Sequence, residues 1–236
     1  MLRNKLSIII PCKNEEENVT NTINLLSSNL SDIDHEIVII NDFSTDKTAD
    51  LLISLSKKNK KVKTYNNSQP GLGSAIQLAF DKCSGEFVAI VMADLSDDPK
   101  DLVSYYNLIN NQDLDGVFGS RFIEGSIVKN YPKKKLILNR LFNCFVKLIL
   151  FSNYNDFTNA FKIYRIDKIK MLQPFVSKNF NIFLEIPLKF ILSKFKYKII
   201  PINWYNRKKG KTKFKIKELS SNYIFTLFYC FFKKLY

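Results

Sequence analysis

Short apolar runs alternate with polar stretches over the first half of the chain. Residues 6–11 (LSIIIP), 36–40 (EIVII), 87–92 (FVAIVM) and 116–118 each precede turn residues or a carboxylate-rich loop, and the more polar 62–66 (VKTYN) reads as a further short strand. Continuous apolar runs of this length are the mark of strands buried on both faces. The stretches between them, 19–30, 48–57, 71–83 and 99–110, read as helices. Glu15, Glu16 and Glu17 lie at the opening of the first, where the helix dipole favours acids, and Pro99 suits the first turn of the last. Strands alternating with helices predict an α/β fold: a Rossmann-like, mostly parallel sheet with helices on both faces.

After residue 125 the pattern changes. Residues 136–151 (LILNRLFNCFVKLILF) are apolar around most of a helical circumference, with Asn139, Arg140, Asn143 and Lys147 on one wedge about 100° wide. Such a helix is either deeply buried or lies in a membrane interface with its polar wedge outward. Lys133-Lys134-Lys135, just before it, favour the interface. Residues 223–232 (YIFTLFYCFF) lie between Lys217 and Lys233-Lys234, too short to span a bilayer and suited to the headgroup level. The chain is therefore expected to end in basic amphipathic helices. Its N-terminal apolar run is too short for a signal peptide, so the expected place is cytoplasmic, peripheral at the inner face of the membrane.

Charge sharpens this division. The net charge is +14, yet residues 1–125 hold 12 basic and 18 acidic residues, whereas residues 126–236 hold 24 and 4. The basic half should face an anionic partner such as an anionic membrane surface or a phosphorylated substrate. A nucleic acid is disfavoured, because no such motif is present and the lysines interleave with long apolar runs. Cys12, Cys83, Cys144 and Cys230 lie far apart with no CxxC pair, which argues against zinc or a disulfide framework. His35 is the one histidine and is read as part of a polar loop, so His-based triads and His-rich metal sites are not expected.

The loops 11–17, 41–48, 94–98 and 119–122 follow strands and should meet at the carboxyl edge of the sheet, where open α/β folds bind ligands. Asp94, Asp97 and Asp98 crowd one of them and need positive charge nearby. Oxygen ligands beside a diphosphate suit Mg2+ or Mn2+. Asn41-Asp42 is placed to accept hydrogen bonds from a base or ribose. Gly71-Leu72-Gly73 lacks a full GxGxxG pattern and reads equally as a tight turn opening a helix.

In combination, Pro11-x-x-Asn14-Glu15, Asn41-Asp42-x-Ser44-x-Asp46-x-Thr48, Gly71-Leu72-Gly73 and Ala93-Asp94-Leu95-Ser96 resemble family 2 glycosyltransferases of the GT-A fold. Gly119-Ser120-Arg121-Phe122, Asn139-Arg140-x-x-Asn143 and Asp156-x-Thr158-x-x-Phe161-Lys162-x-Tyr164-Arg165 narrow the likeness. With Glu185 and Asn206-Arg207-x-x-Gly210-Lys211-x-Lys213-Phe214, they resemble the dolichol-phosphate mannosyltransferase and polyprenyl-phosphate glycosyltransferase branch. The resemblance implies inverting transfer of a hexose from a GDP- or UDP-sugar to a polyisoprenoid phosphate lipid. It implies a nucleotide-sugar site at Pro11, Lys13, Glu15, Asp42, Ala93 and Asp94, and a metal site at Asp94 and Ser96. Catalytic roles fall to Asp94, Arg121 and Asp156, and acceptor phosphate binding to Arg140, Arg207 and Lys213. Residues 1–125 then form a nucleotide-sugar-binding half, 126–215 an acceptor half with an interfacial helix, and 216–236 a membrane-associating segment. Two positions depart from the pattern: Met92 replaces the first acid of the metal pair, and Lys13 stands where an aromatic residue is usual.

Other readings keep parts of this picture. A soluble or polysaccharide acceptor would need a general base, for which Asp156 or Glu185 is the candidate. A basic nucleic-acid-binding protein or a receiver-type domain would explain only one half of the chain each.

Overall fold

In the computed structural model, which describes residues 2–206 and 216–233, the apolar runs pair side by side. Strand β1 (Leu2–Cys12) lies between β2 (His35–Asn41) and β4 (Gly85–Ile90), parallel to both, and β3 (Val62–Asn66) continues beyond β2. Beyond β4 come β7 (Lys162–Arg165), β5 (Gly116–Ser120) and β8 (Tyr197–Pro201), giving the order β3-β2-β1-β4-β7-β5-β8. Strand β7 runs antiparallel to both neighbours, while the other pairings are parallel. A short parallel pair, β6 (Ile127–Lys129) with β9 (Asn203–Tyr205), stands apart from the main sheet.

Alternate residues of the central strands feed two separate cores, as the period of a strand requires. Ile8, Ile10, Ile37, Ile39, Phe87 and Ala89 pack with α1 (Val19–Asn29), α2 (Thr48–Lys58) and α4 (Pro99–Asn111). Ile9, Val38, Ile40, Val88 and Ile90 face the other way, toward α3 (Leu72–Lys82), α6 (Ile166–Met171), α7 (Ile182–Leu192) and α8 (Ile216–Lys233). The expected two-faced sheet is therefore present. Strand β4 stops at Ile90, short of its expected end, so Met92 belongs to the loop that follows.

His35 corrects an expectation. It begins β2 and is buried, with Nδ1 2.8 Å from the Ile33 carbonyl, and burial pushes its pKa down. Its polar neighbours Asp32, Asp34 and Glu36 give the stretch a loop-like composition, but Glu36 is itself buried at the strand start. Ser7 Oγ, Ser84 N and Ser84 Oγ donate to Glu36 Oε1 at 2.7, 2.6 and 2.9 Å, and Lys63 Nζ donates to Oε2 at 2.6 Å. Burial alone would raise this pKa; the hydrogen bonds outweigh it and bring it to about 2. The folded value lies below the unfolded one, so the stabilisation is present above pH 4.5 and is lost as pH falls toward 2. Urea midpoints should drop between pH 5 and pH 3 in the wild type, and with a shallower slope in Glu36→Gln.

Helix α5 (Lys133–Leu150) is oriented contrary to expectation. Its wedge splits: Asn143 is buried, with Nδ2 3.2 Å from Thr158 Oγ1, and Asn139 Nδ2 donates to the same hydroxyl at 2.8 Å. Arg140 and Lys147 stay exposed, beside Ile137, Leu138, Leu141, Phe145 and Leu148. The helix is thus neither fully buried nor turned with its whole polar wedge to solvent. A threonine from a distant loop offers the asparagines what water would have offered, which helical periodicity alone does not reveal. Tyr223 of α8 meets Phe142 edge-on at 5.7 Å between ring centroids, joining the two helices. Helix α8 exposes Ile224, Phe225, Phe228 and Phe232. Lys133, Lys134 and Lys233 are exposed at the helix ends.

Candidate active site

Because β2 and β4 flank β1, successive connections leave β1 in opposite directions, and a crevice opens at the carboxyl edge between β1 and β4. The loops around it are stitched together by their own polar groups. Thr45 N donates to Asn14 Oδ1 at 2.7 Å, Asn14 N to Ser44 Oγ at 3.0 Å, and Glu15 N to Thr48 Oγ1 at 2.9 Å. Thr22 of α1 donates to the Ala93 carbonyl at 2.7 Å, tying the loop after β4 to the loop after β1. Pro11 and Ala93 are buried in the floor of this edge. Glu15 is buried too and accepts from Asn18 Nδ2 at 2.9 Å. Asp42 Oδ1 accepts from Asn67 Nδ2 at 2.8 Å and Gly71 N at 2.9 Å; its Oδ2 lies 4.0 Å from Lys13 Nζ.

The glycine pair serves packing. Gly71 has a φ of 129°, and a Cβ there would meet the Lys178 carbonyl at 2.3 Å; at Gly73 it would meet the Ser177 carbonyl at 2.3 Å. Gly73 N donates to Lys178 O at 2.9 Å, so the opening of α3 is capped by protein. The turn-and-helix reading of Gly71-Leu72-Gly73 is the one observed.

Strand β7 enters the sheet antiparallel, so the loop before it also lies at the carboxyl edge of β4 and β5. That loop brings Asp156 to Arg121. Arg121 N and Nε donate to Asp156 Oδ2 at 2.9 and 2.8 Å, and Nη2 donates to Oδ1 at 2.6 Å. Asp156 is fully buried and Arg121 is 8% exposed. Burial works against the Arg121 charge, and Asp156 more than offsets it, raising the pKa. The guanidinium also lies 5.2, 5.6 and 5.9 Å from the ring centroids of Phe122, Tyr131 and Trp204, an aromatic setting that favours a cation. Arg140, on α5, stacks over Phe122 at 4.5 Å. Lys162 lies beneath, buried, donating to the carbonyls of Phe157 and Asn159; burial pushes its pKa down to about 7.

The three crowded acids have three different fates. Asp98 caps α4, its Oδ1 accepting from Lys100 N at 3.0 Å. Asp94 is half-buried and accepts from Ser96 N at 3.1 Å. Asp97 is 7% exposed, and burial followed by the nearby Asp94 charge pushes its pKa up to about 7. The loop is held from outside by Tyr205 N donating to Ser96 O at 2.8 Å and by a bridge between Asp97 and Trp204.

Arg121, Asp156 and Arg140 thus meet through the loops after β5 and before β7 and through α5, while Lys13 and Asp42 lie together after β1 and β2. Arg207 and Lys213 lie outside the described residues. Glu185 is buried in α7, accepting from Ser177 N at 2.8 Å and paired with Lys189 at 2.7 Å. Sequence reasoning assigned no role to Tyr131, Trp204 or Lys162. Lys162 lies inside the Asp156–Arg165 motif, but composition does not distinguish it from the solvated lysines around it.

The Glycosyl transferase family 2 model matches residues 7–173, well over half the chain. The chain belongs to glycosyl transferase family 2. It is 30% identical over 136 residues to a dolichol-phosphate mannosyltransferase of Pyrococcus furiosus, a match covering 58% of this chain and 38% of that protein. It is 24% identical over 215 residues to glycosyltransferase AglD of Haloferax volcanii, covering 89% and 34%. A polyprenol monophosphomannose synthase of Mycolicibacterium smegmatis is 27% identical over 214 residues, covering 87% and 79%. The chain thus spans little more than a third of the first two relatives. Among solved structures, glucosyl-3-phosphoglycerate synthase of Mycobacterium tuberculosis with Mn2+, UDP and glucosyl-3-phosphoglycerate superposes with a TM-score of 0.72 at 15% identity. That match covers 96% of this chain and 80% of that one. At that identity the likeness carries the fold, which is the GT-A fold of this family.

Among the described residues, no three His, Cys, Asp or Glu side chains cluster as a metal cage. A cation of the Mg2+ type does not require one, since one or two carboxylates with diphosphate oxygens and waters suffice. The residues fit such an ion on one observation: Asp97 Oδ1 is buried, in the same loop as Asp94, and has no hydrogen-bond partner.

Proposed function

We propose that this family 2 chain transfers a hexose from a nucleoside-diphosphate sugar to the phosphate of a polyisoprenoid lipid, with inversion. The observation that carries this reading is that one helix joins the two requirements. Helix α5 places Arg140 on Phe122 beside Arg121, and along its length exposes Leu138, Leu141, Phe145 and Leu148. Contiguous exposed apolar surface rimmed by lysines suits an anionic bilayer. No described helix is long and apolar enough to cross a membrane. The attachment proposed through this face is peripheral, on the cytoplasmic side.

In the proposed mechanism, Pro11, Lys13, Glu15, Asp42 and Ala93 line the donor nucleotide pocket. An oxygen of the lipid phosphate attacks the anomeric carbon, and the bond from that carbon to the nucleoside diphosphate breaks, its electron pair leaving with the diphosphate. The nucleophile is already an anion, so no general base is needed. This agrees with Asp156 and Glu185, the two base candidates, each being engaged by a buried cation. Arg140, with Arg207 and Lys213, holds the acceptor phosphate, and Asp156 fixes the Arg121 fork toward the reacting centre. Asp94 and Ser96 would hold a divalent cation, which when bound neutralises charge on the leaving diphosphate.

The test is sugar transfer from GDP-mannose and UDP-glucose to polyprenyl phosphate in anionic vesicles, run beside vesicle sedimentation. Product should form with one donor, and the protein should pellet with vesicles and be partly released by high salt. Leu141→Glu with Phe228→Glu should lower both pelleting and transfer. Transfer to 3-phosphoglycerate with no lipid product, or no sedimentation, overturns the lipid acceptor.

A further inference from the structure

We infer that Asp97 takes the place of the acid that Met92 removes, so that a divalent cation is seated between Asp94 and Asp97. The inference rests on reading this edge as the donor-diphosphate site. After Asp94, two carboxylates in the loop are candidates, and the structure separates them. Asp98 is spent on the α4 cap, where its oxygen satisfies Lys100 N. Asp97 is more than nine-tenths buried, and its Oδ1 accepts no hydrogen bond.

A buried carboxylate oxygen without a donor is costly, and native proteins leave few such atoms. Arg121 makes no hydrogen bond to that oxygen, its Nε and Nη2 bonding Asp156 instead. Asp94 and Asp97 are three residues apart in the loop between β4 and α4, so the two acids share one locality. Two like charges held together, one with an orphaned oxygen, suit a hard divalent cation, which takes oxygen ligands and satisfies both. The geometry is also held ready. The Tyr205 N–H bonds the Ser96 carbonyl, Asp97 bridges to Trp204, and Asp101 Oδ2 accepts from Asn203 N at 2.8 Å, pinning the loop and the start of α4 to one short segment.

The experiment is Mn2+ titration followed by electron paramagnetic resonance on the full chain, with UDP or GDP present, and with nucleotide binding measured separately in chelator. Wild type should bind Mn2+ in the presence of nucleotide. Asp97→Asn should weaken that binding at least tenfold, Asp98→Asn should leave it unchanged, and Met92→Asp with Asp97→Asn should restore it. Unchanged Mn2+ affinity in a folded Asp97→Asn overturns the inference, as does a wild type that binds nucleotide but no Mn2+. If Asp97→Asn fails to fold, Met92→Asp alone decides. With the seat already filled by Asp97 the affinity gain stays below tenfold, and a gain of tenfold or more overturns the proposal. Failure of nucleotide to bind in chelator and in Mn2+ alike would sink the donor-site reading itself, separately from the metal assignment.

Discussion

Asp94→Asn should lower turnover at least a hundredfold while thermal unfolding stays close to that of the wild type. Asp94 lies beyond the end of β4, half-buried, in the loop that carries Ala93 and Ser96, and it does not belong to either apolar core. In the proposed mechanism, removing its charge would loosen the cation that neutralises the leaving diphosphate, and loss of one such preorganised group commonly costs ~10²–10³ in rate, about 3–4 kcal/mol. Metal and donor should strengthen each other's binding by the same factor in the wild type, as linkage demands. Calorimetric titration of donor with and without Mn2+ should show that mutual gain vanish in Asp94→Asn. Full-rate transfer by the wild type in excess chelator would leave Arg121, Arg140 and their neighbours as the charge stabilisers.

The largest stability effects should come from the Arg121–Asp156 pair. Either Arg121→Ala or Asp156→Ala strands one buried charge, which typically costs about 3–5 kcal/mol. The double substitution should cost less than the two single costs added, because no unpaired ion remains. Arg121→Lys should recover little: the backbone N–H bond to Asp156 remains, but an ammonium cannot reproduce the paired Nε and Nη2 bonds of the guanidinium. Urea unfolding at neutral pH reads all four variants, and equal stability of wild type and Asp156→Ala would show that the pair is not a structural keystone.

The sheet was legible because strands such as 36–40 and 87–90 are apolar on both faces, and turn residues bracket them. The site was legible as an ordered set of loop residues whose positions follow from strand ends. What was not legible depends on partners far away in the chain. Helix α5 has the polar wedge that its sequence shows, but whether water or Thr158 meets that wedge is decided across the fold. His35 has loop-like neighbours, and only the packing of β1 and β3 around Glu36 makes that stretch a buried strand. Strand β7 is four residues long and begins with a lysine whose burial is compensated by carbonyls at 157 and 159. Asp97 and Asp98 are adjacent acids in sequence, yet one caps a helix and the other is buried, because the backbone aims them apart.

The antiparallel insertion of β7 also bears on the order in which this chain acquires its shape during synthesis. Strand β5 emerges from the ribosome well before residues 162–165, yet it joins the sheet through β7 on one side and β8 on the other. A nascent chain ending near residue 125 therefore has β4 with one open, apolar edge and β5 with no neighbour of its own. Open edges of that kind recruit other chains. The first 125 residues are accordingly half of a sheet waiting for its middle strand, and they depend on the later chain to keep them from pairing with one another.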